Sequence, residues 1–254
     1  KQLGGIVKDY KEFFRALKNR LVIQGQGYYN NHTDFTPFPS SGLFLGSGRA
    51  GISQESESYF IAALMRIYKR LSKNGNLAEL IGIVLGDGNL YRHPRTENLR
   101  IICHSKDIAY IKHIQRLVVR VFNKAASSHK RRHKKAVNIN LYQQQISARL
   151  GIPVGNKIKN NVGIPEWIFS KRKFMTRCLK GLFETDGCFQ EDRSNYAQYI
   201  EFKNYCRRLL EDVYRVLLGL GYNPQTGKNY VRLARRKEVD GFIKLIGFRQ
   251  HLAL

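Results

Sequence analysis

Apolar side chains recur at helical spacing twice near the amino end. The first set is Ile6, Tyr10, Phe13, Phe14 and Leu17; the second is Phe60, Leu64, Ile67, Tyr68 and Leu71. That spacing predicts helices over residues 1–20 and Ser56–Ser72, the second closed by Lys73-Asn74-Gly75-Asn76. Between them, Gln24–Gln54 is rich in Gly, Ser, Asn and Pro without a period, which predicts a loop or a disordered segment. Within it GSGRAG, Gly46–Gly51, fits the GxGxxG of dinucleotide-binding folds. Only GLFL precedes it, however, and no Asp or Glu lies between Tyr59 and Gly75. The strand and the ribose-binding acid that such a site needs are therefore missing.

The pattern then changes. ELIGIVLGDGNL, Glu79–Leu90, reads as an apolar helix that ends in an acid, and it recurs as RCLKGLFETDGCF, Arg177–Phe189. Leu80–Gly88 lies over Leu179–Gly187, which puts Asp87 and Asp186 in the same place, 186 − 87 = 99 residues apart. Leu99–Asn123 lies over Tyr199–Asn223, each a strand running into an amphipathic helix. A strand follows in each half, VNINLY at 137–142 and YVRLA at 230–234. A short helix then closes each half, at Leu150-Gly151-Ile152 and at Ile246-Gly247-Phe248. With a hairpin strand after each acid, the order helix, two strands, helix, two strands, helix occurs twice. This predicts an α/β (α+β) molecule of two pseudo-symmetric αββαββα repeats that share an interface. The expected divisions are an extension at 1–72, a first half at 73–160, a linker at 161–176 and a second half at 177–254.

A helix C-terminus already carries partial negative charge, so an acid there is electrostatically misplaced. In both motifs the third and seventh positions are small, Gly82 and Gly86 in one, Gly181 and Thr185 in the other. Small residues one turn apart let two helix backbones approach closely. Gly88 and Gly187 suit a left-handed cap. Two such helices side by side would bring Asp87 and Asp186 together, an arrangement that is costly alone and favourable around divalent cations. Oxygen ligands of this kind suit Mg²⁺. A single Asp-Gly is a common turn signal; two in one repeated context favour the metal reading. Glu184 stands two residues from Asp186 and is matched by Leu85, so it is set aside.

Charge narrows the partner. Lys plus Arg number 44 against 19 Asp plus Glu, a formal net charge of +25, which points to nucleic acid. An anionic membrane is the other candidate, but no apolar stretch approaches a span, and the amino end lacks a signal peptide's order of regions. Cys103, Cys178, Cys188 and Cys206 show neither CxxC spacing nor a partnering histidine motif. They read as reduced thiols of an intracellular protein, cytoplasmic, nucleoid-associated or in an organellar matrix, and not secreted.

The two motifs, the repeat and the basic chain together resemble the LAGLIDADG homing endonucleases, in the form that carries both halves in one chain. The resemblance runs from about Asn76 to Phe248, and GIPEWIF at Gly163–Phe169 is similar to that family's bridge between halves. It implies a saddle-shaped antiparallel sheet over double-stranded DNA, with the motif helices packed at the interface. It also implies a monomer, intron-encoded in a mobile element, that cuts both strands of a long pseudo-palindromic target across the minor groove. Mg²⁺ would be the cofactor, with Mn²⁺ substituting and Ca²⁺ supporting binding without cleavage. Asp87 and Asp186 fall on the family's metal-binding acids, and the carbonyls of Gly86 and Thr185 on its backbone ligands. Lys157, six residues past Gly151, falls on a supporting lysine. The second half departs, because Ala253 occupies that place; Arg249 or His251 are the possible substitutes.

The polar side of the sheet is expected to hold the DNA. In VNINLY the apolar Val137, Ile139 and Leu141 alternate with Asn138 and Asn140, which then face away from the core. Asparagine can read adenine bidentately. Arg232 alternates with Val231 and Leu233 and suits guanine or phosphate. SSHKRRHKK, Ser127–Lys135, reads as a hairpin tip whose Lys130, Arg131, Arg132, Lys134 and Lys135 seek phosphate. His129 and His133 in it read as DNA-facing or solvated. Arg92, Arg95 and Arg100 complete the first half's set; Arg193, Lys203, Lys228 and Arg235 complete the second's. A maturase binding intron RNA, or a regulator that binds DNA without cutting, is the alternative on the same fold. An intein would need an amino-terminal nucleophile and a carboxyl-terminal His-Asn, where Lys1 and QHLAL stand.

Overall fold

The side-chain oxygen of Asn74 accepts the Leu77 amide at 3.0 Å and so satisfies one of the donors that a helix start leaves unpaired. A residue expected to close the preceding helix therefore opens the next one. The computed structural model describes residues 70–132, 134–192 and 197–248. The helices expected over 1–20 and most of 56–72, the loop between them, and His133, Arg193, Arg249, His251 and Ala253 lie outside the described residues.

The first half runs α1 (Gly75–Gly86), β1 (Gly88–Arg92), β2 (Glu97–His104), α2 (Ile108–Phe122), β3 (Ser127–Lys130), β4 (Ala136–Gln143) and α3 (Ile146–Leu150). The second repeats it as α4 (Arg172–Asp186), β5 (Gly187–Asp192), β6 (Ala197–Lys203), α5 (Arg207–Gly219), β7 (Gln225–Thr226), β8 (Tyr230–Leu233) and α6 (Arg236–Ile246). Each half folds its strands into one antiparallel four-stranded sheet, in the orders β1-β2-β4-β3 and β5-β6-β8-β7. The expected antiparallel layer is thus two sheets, one per repeat. No helix among the described residues is long and apolar enough to cross a membrane.

Strand alternation explains the core. Leu90, Leu99, Ile101, Ile139 and Leu141 turn inward in one sheet, Ile200, Phe202, Val231 and Leu233 in the other, and all are buried. Ile114, Leu117 and Val118 of α2 and Val213, Val216 and Leu217 of α5 share that core at helical spacing. Phe183 joins α4 to α6 and β6, with ring centroids 4.8 Å from Phe242 and 5.7 Å from Phe202. The linker is anchored by Ile164 and Ile168, both buried, and by the Ile164 amide, which donates to Asp212 at 2.8 Å.

α1 has no water-facing side along most of its length: every residue from Leu77 to Leu85 is buried. What covers it is α4, at backbone contact. A methyl group built on Gly82 would run into the Cys178 carbonyl, and one built on Gly181 into the Glu79 carbonyl. The two glycines thus admit each other's helix. Gly86 meets the Thr185 side chain in the same way one turn on.

Three expectations are corrected. Gly88 and Gly187 are not left-handed caps: Gly187 is extended at φ −84° and ψ 148°, and Gly88 is absent from the positive-φ residues. In both halves the chain passes straight from helix to strand, and glycine is needed because a side chain would strike Val84 or Phe183. The left-handed glycine caps are Gly151 (φ 71°) and Gly247 (φ 62°), at the ends of α3 and α6, and Asn123 (φ 51°) caps α2 in the same way. Second, Ser127–Lys130 is strand β3, and the hairpin tip is confined to 131–135. Third, Gly88 pairs with Ile101 but Gly187 with Phe202, so the second hairpin is longer and the strand repeat runs one residue out of the sequence alignment.

If helix approach at the glycines holds the halves together, Gly82→Ala and Gly181→Ala each destabilise by about 1–3 kcal/mol or more, because the collision is with backbone. A melting midpoint lowered by several degrees is the expected readout. Gly219→Ala is the control, since its methyl would meet Met175 at an ordinary 3.5 Å. Equal midpoints for all three variants would mean the helices can part at no cost.

Candidate active site

The close approach of α1 and α4 carries their last residues to one place. Asp87 is the C-cap of α1, and Asp186 is the last residue of α4. Burial pushes the Asp87 carboxyl up to about 6, the Asp186 charge adds to the rise, and Lys157 opposes it. Asp87 keeps solvent access as a residue, so this reflects carboxyl packing and like charge rather than full enclosure. Asp186 is raised by burial, with Lys157 and a hydrogen bond from Asn204 pulling it back. Both acids are thus held above their ordinary range, chiefly by burial, with like charge adding to the rise at Asp87.

Lys157 sits on the end of α1. Its Nζ donates to the Leu85 carbonyl at 2.6 Å and to the Gly86 carbonyl, and lies 3.4 Å from the Val84 carbonyl. An ammonium has three donors, and here it meets three carbonyls of the turn that a helix leaves unpaired. Burial lowers its pKa, and the charges of Asp186 and Asp87 oppose that. Local backbone delivers it there. Gly155, at φ 94°, donates its amide to the Leu90 carbonyl at 3.0 Å, and the Asn156 side chain accepts the Ile158 and Lys159 amides at 2.9 and 3.0 Å. The Lys157 carbonyl then accepts from the Val162 amide at 3.1 Å.

Asn204 was missed by the sequence reading. Its Nδ2 donates to Asp186 Oδ2 at 3.0 Å while its Oδ1 accepts the Cys206 amide at 2.9 Å, so the side chain is pinned at both ends. The only sequence signal was its place just past β6, and the one-residue slip in the repeat hid what it matches. In strand register its counterpart is Cys103, which is buried. The two acids are therefore supported unequally.

A divalent cation fits this donor set. Among the described residues no three His, Cys, Asp or Glu cluster as a self-sufficient metal cage. Two carboxylates and helix-end carbonyls leave coordination positions for water and phosphate oxygens, as Mg²⁺ prefers. The Gly86 carbonyl now carries a lysine ammonium, itself a cation. Thr185 turns its hydroxyl back along α4, to the carbonyls of Leu182 at 2.8 Å and Gly181 at 3.2 Å. Glu184, set aside above, is buried.

The expected DNA-binding residues divide by exposure. Arg92, Arg95, Lys130, Arg131, Arg132, Lys134 and Lys135 are exposed in the first half, as are Lys228 and Arg235 in the second. Some are already paired: Arg92 with Glu97 at 3.1 Å, Arg235 with Glu238 at 3.4 Å, and Lys203 with Glu201 at 2.9 Å. Asn140 points outward as alternation requires, but it is only 6% exposed. Its Oδ1 accepts Arg100 Nε at 3.2 Å and Asn98 Nδ2 at 3.4 Å. Asn138 is half-buried beside it.

A family model described as a LAGLIDADG-like domain matches residues 173–247, within the second half. Among curated proteins no sequence matches the chain. Among solved structures, full-length DUF199/WhiA from Thermatoga maritima is 16% identical with a TM-score of 0.51, covering 72% of this chain and 58% of that one. The N-terminal LAGLIDADG domain of DUF199/WhiA is 17% identical with a TM-score of 0.50, covering 72% and 88%. I-DmoI in complex with DNA and Ca is 17% identical with a TM-score of 0.49, covering 68% and 88%. At these identities the likeness is one of architecture: the chain has the LAGLIDADG fold.

Proposed function

We propose that this protein is a site-specific DNA endonuclease, a single-chain homing endonuclease of the LAGLIDADG kind. It makes Mg²⁺-dependent double-strand breaks in a long, pseudo-palindromic target. The observation that carries the reading is the pairing of Asp87 and Asp186, raised carboxyls at adjoining helix ends, with one lysine between them. Such an arrangement weakens the free protein and gains from a divalent cation and a phosphate. Divalent cations held by Asp87, Asp186 and the Gly86 and Thr185 carbonyls would neutralise the phosphate and activate a water molecule.

The chain's own groups do the rest. Water adds to phosphorus in line, the bond to the 3′ oxygen breaks, and the 3′ hydroxyl and 5′ phosphate are released. Lys157 supplies positive charge where the phosphate becomes more negative, an interaction strongest in the transition state. Asn204 fixes one oxygen of Asp186, the one its amide holds at 3.0 Å. The exposed arginines and lysines hold phosphates along the sheets, and the +25 net charge sets a steep salt dependence.

A non-cleaving DNA-binding regulator is the second reading, since the +25 net charge and the exposed arginines and lysines would serve binding alone. Both acids and Lys157 stand together here, which a binding role alone does not require.

Asp87→Asn and Asp186→Asn are each expected to abolish double-strand cleavage in Mg²⁺ while leaving DNA affinity in Ca²⁺ within a few-fold. Target selection from a randomised library, followed by plasmid cleavage, checks this. Undiminished cleavage by either variant removes the metal assignment, and a wild-type protein that binds but never cuts favours the regulator.

A pH experiment needs no DNA. Asp87 titrates near 6 in the fold and at 3.8 ordinarily, so its ionised form opposes folding as pH rises through that window. The free protein bears the full cost above about pH 6 and little below the ordinary value. Mg²⁺ should therefore raise the melting midpoint more at pH 7.5 than at pH 5. Asp87→Asn should raise the metal-free midpoint at pH 7.5 and blunt the response to Mg²⁺. A metal response independent of pH would count against the paired acids as ligands.

A further inference from the structure

Arg100 and Arg232 stand in corresponding rows of the two sheets, and each is held in the same manner. Gly88 opposite Ile101 and Gly187 opposite Phe202 mark where each sheet leaves its acid. One step on, Asn89, Arg100 and Asn140 form one row, and Cys188, Glu201 and Arg232 form the other. Arg100 lies over the Tyr91 ring at 4.9 Å, and its Nε donates to the Asn140 side-chain oxygen at 3.2 Å. Arg232 lies 5.5 Å from the Tyr199 ring and 5.3 Å from the Tyr230 ring, and its Nε donates to the Gln225 side-chain oxygen at 3.0 Å. Neither guanidinium forms an ion pair among the described residues. Glu201, the carboxylate directly across from Arg232, is bound to Lys203 instead.

This tethering matters because of which donors it uses. An arginine that contacts phosphate can do so from many rotamers. Here an amide oxygen occupies Nε and tyrosine rings lie against the guanidinium face, so the planar end is oriented before any ligand arrives. What remains for a partner is the pair of terminal nitrogens, the fork that matches O6 and N7 of guanine in the major groove. Phosphate contact rewards charge alone, which the exposed Lys134 and Lys135 supply without such scaffolding.

Resting on the DNA-binding reading above, we infer that Arg100 and Arg232 are guanine readers, one for each half of the target. Asn140 and Gln225 are their positioning residues. Asn140, read from sequence as an adenine contact, acts through Arg100. The two arginines are on different strands: Arg100 on β2, and Arg232 on β8, which corresponds to β4. Neighbouring strands lie about 4.8 Å apart, and base pairs are about 3.4 Å apart. The two guanines therefore fall about one step away from mirror-related positions, and the pseudo-palindrome is broken there.

The test is selection of bound duplexes from a randomised library in Ca²⁺ with wild-type protein, Arg100→Lys, Arg232→Lys and Asn140→Ala, each checked for an unchanged melting midpoint. Wild type should enrich one guanine in each half, at unequal distances from the centre. Each lysine variant keeps its charge, so affinity for unrelated DNA and its salt slope should hold. The preference for guanine should fall about ten- to hundredfold at one position only. Asn140→Ala should relax the same position as Arg100→Lys, to a smaller extent. If the lysine variants leave every base preference unchanged while the wild type still selects a site, the arginines are phosphate contacts and the inference is wrong. If the wild type selects no site at all, the DNA-endonuclease reading falls with it. Mirror-related guanines would overturn the strand argument.

Discussion

Backbone contact between α1 and α4 is the constraint on which the rest depends. Gly82 and Gly181 each lie against the other helix's peptide carbonyls, so the two repeats meet along a seam with no room for a side chain at either glycine. Dispersion over so close an approach is favourable, but it forces both helix axes to end side by side. The two ends of the seam then differ in charge. At the amino-terminal end Glu79, 2% exposed at its side chain, is matched within the protein by Arg177 of the other repeat and by His113 at 2.7 Å. At the carboxyl-terminal end Asp87 and Asp186 have one shared ammonium and one amide. One buried carboxylate is compensated inside the chain; two at the other end are left short of positive charge. Charge is balanced at one end of the seam and left unbalanced at the other, where the proposed chemistry lies.

Much of this was legible in the sequence because it is periodic. Small residues at Gly82, Gly86 and Gly181 have a single simple use in apolar helices, and the repeat fixed which helix meets which. Strand alternation at Val231, Arg232 and Leu233, or at Ile139, Asn140 and Leu141, separated core from outer face correctly. What was not legible depends on geometry between segments. Nothing in KNY says that Asn204 reaches Asp186, since the match depends on a strand register that the sequence alignment misses by one residue. Nothing in VNINLY says that Asn140 is covered by Arg100, because outward direction does not imply exposure when a longer neighbour lies over it. The glycine caps were misassigned for a related reason. Gly88 and Gly187 are glycines of close approach, whereas Gly151 and Gly247 take the positive φ of a cap, where α3 and α6 end in loops rather than passing directly into strands.

The two acids, alike in sequence, are unlike in surroundings, and the difference has a direction. For Asp87 the neighbouring carboxylate outweighs the lysine, and no hydrogen bond offsets either. For Asp186 the lysine and the Asn204 amide both favour the ionised form. When one proton is shared between them it therefore rests more on Asp87, although the titration belongs to the pair. Lys157 comes from the first repeat, caps that repeat's own helix and responds to the second repeat's acid before its own. One residue thus joins the two carboxylates into a single electrostatic unit in which two negative charges face one positive. The uncompensated charge is on the side where Asp87 meets solvent. On the reading proposed above, Asp87 and Asp186 would hold a cation together, with Asp87 the less compensated of the two.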